Sequence, residues 1–343
     1  MSGIAPASLE LGEAWRSPGT SYVSCLEPSP DNSLVVVTCA DEPASILSIE
    51  GKRLISLGEG TIGAPSVSWH PDGSRFGVAC PDGSAQVWRA DGSLLYELDA
   101  GGTWTERIAY SPSGSLLATA NGRNVRLWEG ERLVRDFKAH ESTVTDIGWK
   151  PARAGGRSET IASICYGGLR MWQEQYEGPT RTFEWKGSSL VLGWSPNGQY
   201  IATGDQDSSV HFWIVKNGVD LQMCGYATKV KELAWDDTSR YLATGGGSIV
   251  TVWDCSGKGP EGTRPVELEM HEDKVNALEF SPSSSLLASG GEDGMVCVWS
   301  LDQADRPVAT GHSSSAICAV RWVDESRGVL VGTASGDIVM FAL

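Results

Sequence analysis

The sequence predicts an all-β fold made of repeated units, and three observations lead to this prediction. Eleven of the fourteen tryptophans fall into two columns that recur about every forty residues. Gly and Pro divide the chain into short apolar runs that suit strands, and no segment keeps the 3.6-residue apolar period of a helix. Self-similarity at this period is typical of stacked repeats, in which no unit buries its apolar face alone.

One repeat can be followed from residue 275 onward. Strands are predicted over residues 275–280, 285–289, 295–299 and 307–310. The first turn is Ser281-Pro282-Ser283-Ser284, and the second is Gly291-Glu292-Asp293-Gly294. Short strands joined by such turns form antiparallel meanders, so each unit is predicted to hold four antiparallel strands.

Alignment of the chain on its turns gives eight such units in order. The first strands end at Pro28, Trp69, Tyr110, Trp149, Trp194, Trp235, Phe280 and Trp322. The third strands end at Leu47, Trp88, Trp128, Trp172, Trp213, Trp253, Trp299 and Phe341. The first unit has Leu47 in place of a tryptophan but keeps the spacing of strands and turns. We therefore expect eight units, and the alternative is seven, with the first unit forming something else.

Four residues of the seventh unit resemble the WD-repeat (β-transducin-like) family. His271, Ser289, Asp293 and Trp299 stand at the positions of the family's His, Ser/Thr, Asp and Trp.

Other units match the family pattern in part. Trp185 stands at the His position of the unit that contains Thr203, Asp207 and Trp213, and Trp253-Asp254 is the one dipeptide that gives the family its name. The unit with His140, Ser163 and Trp172 lacks the Asp.

The resemblance covers nearly the whole chain and implies a single closed β-propeller over residues 1–343, with four-stranded blades. Eight blades are expected, with seven as the alternative. The last unit ends at Phe341 and lacks a fourth strand. Family members usually close the ring with strands from both termini, so Ser8-Leu9-Glu10-Leu11 is expected to pair with the C-terminal blade.

Composition favours a water-soluble protein and disfavours several function classes. Hydrophobic residues make up 41% of the chain, and no run approaches the roughly 18 apolar residues of a membrane helix. The N-terminus lacks the features of a signal peptide, so a cytoplasmic location is expected. The formal charge of −16 disfavours nucleic-acid binding.

The cysteines, histidines and lysines form no motif of metal or phosphate binding. The eight cysteines are scattered without a C-x-x-C pair, and the five histidines lack H-x-x-x-H spacing. Gly257-Lys258-Gly259 is too short for a phosphate-binding loop. We expect no cofactor and no metal.

His271, Ser289 and Asp293 have the composition of a hydrolase triad, but a structural interpretation is stronger. The family resemblance implies a relay with Trp299 that ties a loop to the strands below it. Ser289 lies within a predicted strand and has no nucleophile-elbow motif around it. No catalytic residue is therefore predicted.

The resemblance also places partner-binding candidates on the top face of the propeller. In the family this face carries the loops between second and third strands and those from a fourth strand to the next first strand. Trp15, Trp104 and Trp185, the three tryptophans outside the two columns, fall in or beside such loops. The top-face candidates are Trp104, Arg107, Tyr166, Trp185, Tyr226 and Lys231. Trp185 could instead fill a vacant relay position, and Trp15 could be a core plug.

The opposite, bottom face offers basic loops. Arg153 and Arg157 lie in one long insertion, and Lys258 and Arg264 lie in another. Insertions often map to the binding face of a repeat protein, although a solvated loop is the stronger interpretation of these two.

These observations favour a non-enzymatic scaffold that binds a protein or peptide on one propeller face, either as a monomer or within a larger complex. The first alternative is a small-molecule or metal site in the central channel, near Ser66, Asp146 and Glu232. The second is a subunit of a nucleic-acid-associated complex. No membrane partner is expected.

Overall fold

The computed structural model describes residues 8–102, 104–138, 140–152, 159–257, 259–323 and 328–343. Thirty-one strands and two short 3₁₀ helices, Glu59–Thr61 and Leu301–Gln303, make up the regular structure of these residues. Within them, no helix has the length and hydropathy that crossing a membrane would need.

The first three repeat units each form a separate four-stranded antiparallel sheet. Unit one contains β3 (Val23–Pro28), β4 (Leu34–Cys39), β5 (Ser45–Ser48) and β6 (Arg53–Ser56). Unit two contains β7 (Ser66–Trp69), β8 (Arg75–Ala79), β9 (Ser84–Arg89) and β10 (Leu94–Asp99). Unit three contains β11 (Thr105–Tyr110), β12 (Leu117–Asn121), β13 (Asn124–Glu129) and β14 (Arg132–Phe137).

Units four and five share one six-stranded sheet. Its strands are β15 (Asp146–Trp149), β16 (Ile161–Trp172), β17 (Arg181–Trp194), β18 (Tyr200–Asp205), β19 (Val210–Ile214) and β20 (Val219–Met223).

The last three units are again separate sheets, two of them completed by the N-terminal segment. Unit six contains β21 (Leu233–Trp235), β22 (Tyr241–Thr244), β23 (Ile249–Asp254) and β24 (Val266–Glu269). Unit seven contains β25 (Val275–Phe280), β26 (Leu286–Gly291), β27 (Met295–Ser300) and β28 (Ala309–His312), with β1 (Leu9–Glu10) at its edge. Unit eight contains β29 (Ile317–Val323), β30 (Gly328–Thr333) and β31 (Ile338–Ala342), with β2 (Gly12–Ser17) at its edge.

The prediction of eight blades is wrong, because the described strands form seven hydrogen-bonded sheets and therefore seven blades. The count falls by one because pairing does not stop between units four and five. Ser188 of β17 pairs with Tyr166 of β16, and its carbonyl also accepts the N–H of Gln206 in the next unit. The first unit, which the seven-blade alternative left out of the ring, forms a regular sheet.

The N-terminal segment closes the ring, but through different residues from those expected. The strand that completes unit eight is β2, which pairs antiparallel with β31 in the register Gly12↔Ala342 to Ser17↔Ile338. The expected residues lie one step earlier, where Leu9 and Glu10 pair parallel with β28 of unit seven. The difference arises because the chain crosses from one blade edge to the next at Leu11, which is buried between them.

The two tryptophan columns have different structural roles. Each second-column tryptophan donates its indole N–H to a first-strand carbonyl of the preceding unit, over 2.9–3.2 Å. The pairs are Trp69 with Glu27, Trp149 with Ala109, Trp194 with Gly148, Trp235 with Gly193 and Trp322 with Glu279. This column therefore joins neighbouring units, while the first-column tryptophans other than Trp88 donate to a hydroxyl of their own unit.

Apolar side chains fill the spaces between neighbouring blades. One such cluster contains Val296 and Val298 from unit seven together with Trp322 and Val329 from unit eight. Because each cluster takes side chains from two neighbouring units, no unit is fully buried without its neighbours.

Candidate functional site

The predicted relay residues of unit seven lie together in a buried hydrogen-bonded chain. Ser289 Oγ lies 2.8 Å from His271 Nε2 and accepts the indole N–H of Trp299 at 2.9 Å. Asp293 lies 3.1 Å from His271 Nδ1 and also accepts the backbone N–H groups of Glu272 and Met295.

Burial and charge indicate that these hydrogen-bonded residues have a structural role. Burial lowers the pKa of His271, although Asp293 opposes the shift, so the imidazole is neutral near pH 7. Ser289 is fully buried, so no substrate can reach its hydroxyl. The arrangement satisfies buried polar groups and offers no exposed nucleophile.

Other units build shorter versions of the same chain. In unit four, Ser163 Oγ receives the Trp172 indole at 2.7 Å and lies 2.7 Å from His140 Nε2. In unit six, the half-buried hydroxyl of Tyr226 lies between Trp253 and Thr244, 2.9 Å from each. Tyr226 is therefore part of a relay and does not lie free on the top face.

Unit five departs most from the pattern. Trp185 contacts His211 with ring centroids 4.4 Å apart and ring planes tilted by 46°, and it packs against the core at the position that His271 holds in unit seven. The Trp213 indole donates to Thr203, whose hydroxyl donates to Asp205, while the predicted Asp207 accepts from Ser209 instead.

Strand direction defines the two faces of the propeller. Because strands alternate in direction within each unit, the loops between second and third strands share one side with the loops that enter the next unit. This side is the top face, and the remaining loops form the bottom face.

Three large aromatic side chains are exposed on the top face. Trp104 lies before β11 and is 44% exposed, and Tyr166 lies in the second-to-third connection of unit four and is 51% exposed. Tyr22, just before β3, is 49% exposed and was not among the predicted residues. The signal that could have found it is its position beside a first strand, equivalent to that of Trp104. Lys231 is also exposed on this side.

Arg107 and the predicted channel residues Asp146 and Glu232 take part in ion pairs within the protein. The Arg107 Nε donates to Asp146 at 2.9 Å, and Asp146 also accepts the backbone N–H groups of Ile147 and Leu192. Glu232 lies 3.3 Å from Lys274 Nζ. Among the described residues, no group of three or more His, Cys, Asp or Glu side chains could hold a metal ion.

The remaining predicted residues are distributed as follows. Trp15 is half-buried against the cluster between units eight and one. Arg264 is exposed on the bottom face. Arg153, Arg157 and Lys258 lie outside the described residues. The eight cysteines are free thiols, and five of them are buried.

Comparisons with known proteins point to one family. The family model "WD domain, G-beta repeat" matches residues 92–129, 179–213, 220–254 and 262–300. The computationally designed Ika8 protein has a similar fold, with a TM-score of 0.79 and 20% identity over 98% of both chains.

Curated relatives match part of the chain. The WD repeat-containing protein srw1 of Schizosaccharomyces pombe is 29% identical over 44% of this chain and 27% of its own length. Cell division cycle 20.1 of Arabidopsis thaliana, a cofactor of the APC complex, is 30% identical over 45% of this chain and 35% of its own length. The ribosome biogenesis protein WDR12 homolog of Drosophila persimilis is 27% identical over 38% of this chain and 36% of its own length. The chain thus spans about a third of the length of these relatives.

The matched repeats, the tryptophan columns and the His–Ser–Asp–Trp relay agree with one another. Together they confirm the resemblance drawn from the sequence. This chain is a member of the WD-repeat β-propeller family.

Proposed function

We propose that this chain is a non-enzymatic scaffold that binds a protein or peptide partner on the top face. The observation that carries the proposal is the exposure of Trp104, which has the most exposed side chain of the fourteen tryptophans. Large aromatic residues are enriched among interface hot spots, and Tyr22 and Tyr166 are exposed on the same face.

The attachment of these side chains to regular strands supports a role in binding. Tyr166 lies within β16 and pairs with Ser188 of β17, and Trp104 immediately precedes β11. Side chains held by rigid strands lose little conformational entropy when a partner binds, so their contacts contribute efficiently to affinity.

The relatives support a role in protein complexes, since one is a cofactor of the APC complex and another a ribosome biogenesis protein. The cytoplasmic location, and the choice between a monomer and a subunit of a larger complex, stay predictions.

The test is a pull-down that compares two matched tyrosines. Tyr166 on the top face and Tyr176 on the bottom face are 51% and 52% exposed. We expect Trp104→Ala and Tyr166→Ala to weaken capture of co-purifying proteins by about tenfold or more, and Tyr176→Ala to leave those same proteins bound. Arg107 is a poor test residue, because its removal leaves Asp146 buried without its cation.

Retention of every co-purified protein by the Trp104→Ala, Tyr166→Ala double variant would contradict the proposal. Circular dichroism and the melting temperature of each variant serve as controls for folding.

A further inference from the structure

Two neighbouring cavities open on the bottom face, below the sheet that units four and five share. The first has a volume of about 450 Å³ and is lined by Lys150, Tyr200, Val215 and Lys216, among other residues. The second has a volume of about 520 Å³ and is lined by Tyr176, Pro179 and Thr180, among other residues.

Arg181 links the linings of the two cavities. Thr180 lines the second cavity, and the next residue, Arg181, donates a guanidinium N–H to the carbonyl of Val215, which lines the first. We call this pair of cavities the lower groove.

The first cavity is basic on an acidic protein. Its lining includes two lysines and no acidic residue, while the whole chain has a formal charge of −16. The Lys150 ammonium lies 5.8 Å from the centre of the Trp194 ring, which holds this side chain beside the Gly198 turn. Lys216 is exposed and makes no ion pair with any described residue.

The second cavity is less charged and has an aromatic wall. Tyr176 is 52% exposed there, next to Pro179, and Glu177 is the one acidic residue of the lining. An apolar or aromatic side chain could pack against Tyr176 and Pro179, whereas a second anion would be repelled by Glu177.

We propose that the lower groove binds a short, extended, acidic segment of a partner protein. A carboxylate of that segment lies between Lys150 and Lys216, and an apolar side chain a few residues away packs on Tyr176. This site is independent of the top-face site, so the propeller can hold two partners on opposite faces.

The charge distribution favours an acidic peptide over a nucleic acid. A polynucleotide carries a negative charge at every residue, and beyond the lysines it would meet Glu177 and the acidic surface of the chain. A peptide can place a single carboxylate in the basic cavity and keep the rest of its contact apolar.

The test begins with selection of phage-displayed random heptapeptides on the immobilised full chain. We expect enrichment of Asp or Glu together with an aromatic or aliphatic residue. A synthetic copy of the most enriched peptide is then titrated by fluorescence anisotropy. Binding should weaken about tenfold or more for Lys216→Glu, and several-fold for Tyr176→Ala and in high salt.

The controls are matched residues on the opposite face. Lys229 is an exposed lysine in a top-face connection, and Tyr166 matches Tyr176 in exposure. Peptide affinity should be unchanged in Lys229→Glu and Tyr166→Ala.

The proposal would be overturned by the absence of an enriched peptide, by enriched peptides without acidic residues, or by equal affinity of the peptide for Lys216→Glu and the unchanged protein. An unlabelled single-stranded oligonucleotide serves as competitor at the same concentration as the peptide. If it displaces the peptide, the groove binds nucleic acid, and the proposal is overturned.

Discussion

Single residues show how one residue type serves different purposes in this propeller. In the first column, Trp299 donates its indole N–H to Ser289, whereas the indole N–H of Trp88 is buried without a hydrogen-bond partner among the described residues. The reason is Val78, which occupies the position that Ser289 holds in unit seven. A relay therefore forms only where the facing strand supplies a hydroxyl.

This contrast predicts unequal effects of the same substitution. Trp299→Phe should lower the free energy of unfolding by about 1 kcal/mol or more beyond the loss in Trp88→Phe, because it removes the N–H that the buried Ser289 hydroxyl accepts. Trp88→Phe removes an indole N–H that is already unsatisfied. Denaturant unfolding of the two variants measures the difference, and equal losses would contradict the relay's energetic role.

Asp205 is a second residue whose environment has a measurable consequence. It is fully buried, one of its oxygens accepts from Thr203, and the other has no partner among the described residues. Burial raises the pKa of this carboxyl to about 7, although Ser189, His211 and Thr203 oppose the shift. In the unfolded chain the pKa is about 3.9.

A raised folded-state pKa contributes stability below the unfolded value, and this contribution is lost as pH rises through about 7. We expect the stability of the protein to fall between pH 5 and pH 8 by on the order of 2 kcal/mol through this group. Asp205→Asn cannot ionise and should remove that part of the slope. Melting temperatures at pH 5, 6.5 and 8 test this, and identical slopes for both proteins would exclude Asp205 as the cause.

Among the elements, the N-terminal strands differ in what they contribute. β2 completes unit eight and places Trp15 against the core, whereas β1 has two exposed residues at the edge of unit seven. Leu11, between them, is buried. Closure of the ring therefore depends on β2.

Two truncations separate these roles. Deletion of residues 1–17 should lower the free energy of unfolding by several kcal/mol, since it exposes the edge of β31 and the apolar face beneath Trp15. Deletion of residues 1–10 keeps Leu11 and β2 and should cost about 1 kcal/mol or less. Thermal melts compare the two, and equal stability of both truncated proteins would contradict closure by β2.

The shared sheet of units four and five depends on backbone geometry at one glycine. Gly168 has φ +109°, and a Cβ there would lie 2.1 Å from the carbonyl oxygen of Phe183 on β17. Only glycine allows β16 and β17 to approach this closely where Gly168 pairs with Glu184.

At the scale of the whole molecule, the strands and the repeat could be predicted from the sequence, but the hydrogen bonding between neighbouring units could not. The turns and tryptophan columns are local patterns, so the positions of strands could be found from them. The number of blades depends on whether Ser188 pairs on both sides, which no local pattern reveals. The eightfold prediction failed for that reason.

In the candidate site, too, residues that belong to a local motif could be predicted, and residues that only folding brings together could not. The relay residues of unit seven share a motif, so they were found from the sequence. Arg107 was placed on the correct side, but its partner Asp146 is 39 residues away, and that pairing removes it from the free surface. The lysines of the lower groove were missed because neither forms part of a motif, and only folding brings Lys150 and Lys216 to one cavity.

The pairing of β2 with β31 also sets an order of events during synthesis. Arg16 and Asp337, which bond across this closure, are 321 residues apart. At about 5–20 residues per second, the ribosome needs roughly 15 to 65 seconds to make the chain between them. During that time β2 has no partner strand, so an incomplete ring presents an open edge that a chaperone, or a second nascent chain, can bind before β31 emerges.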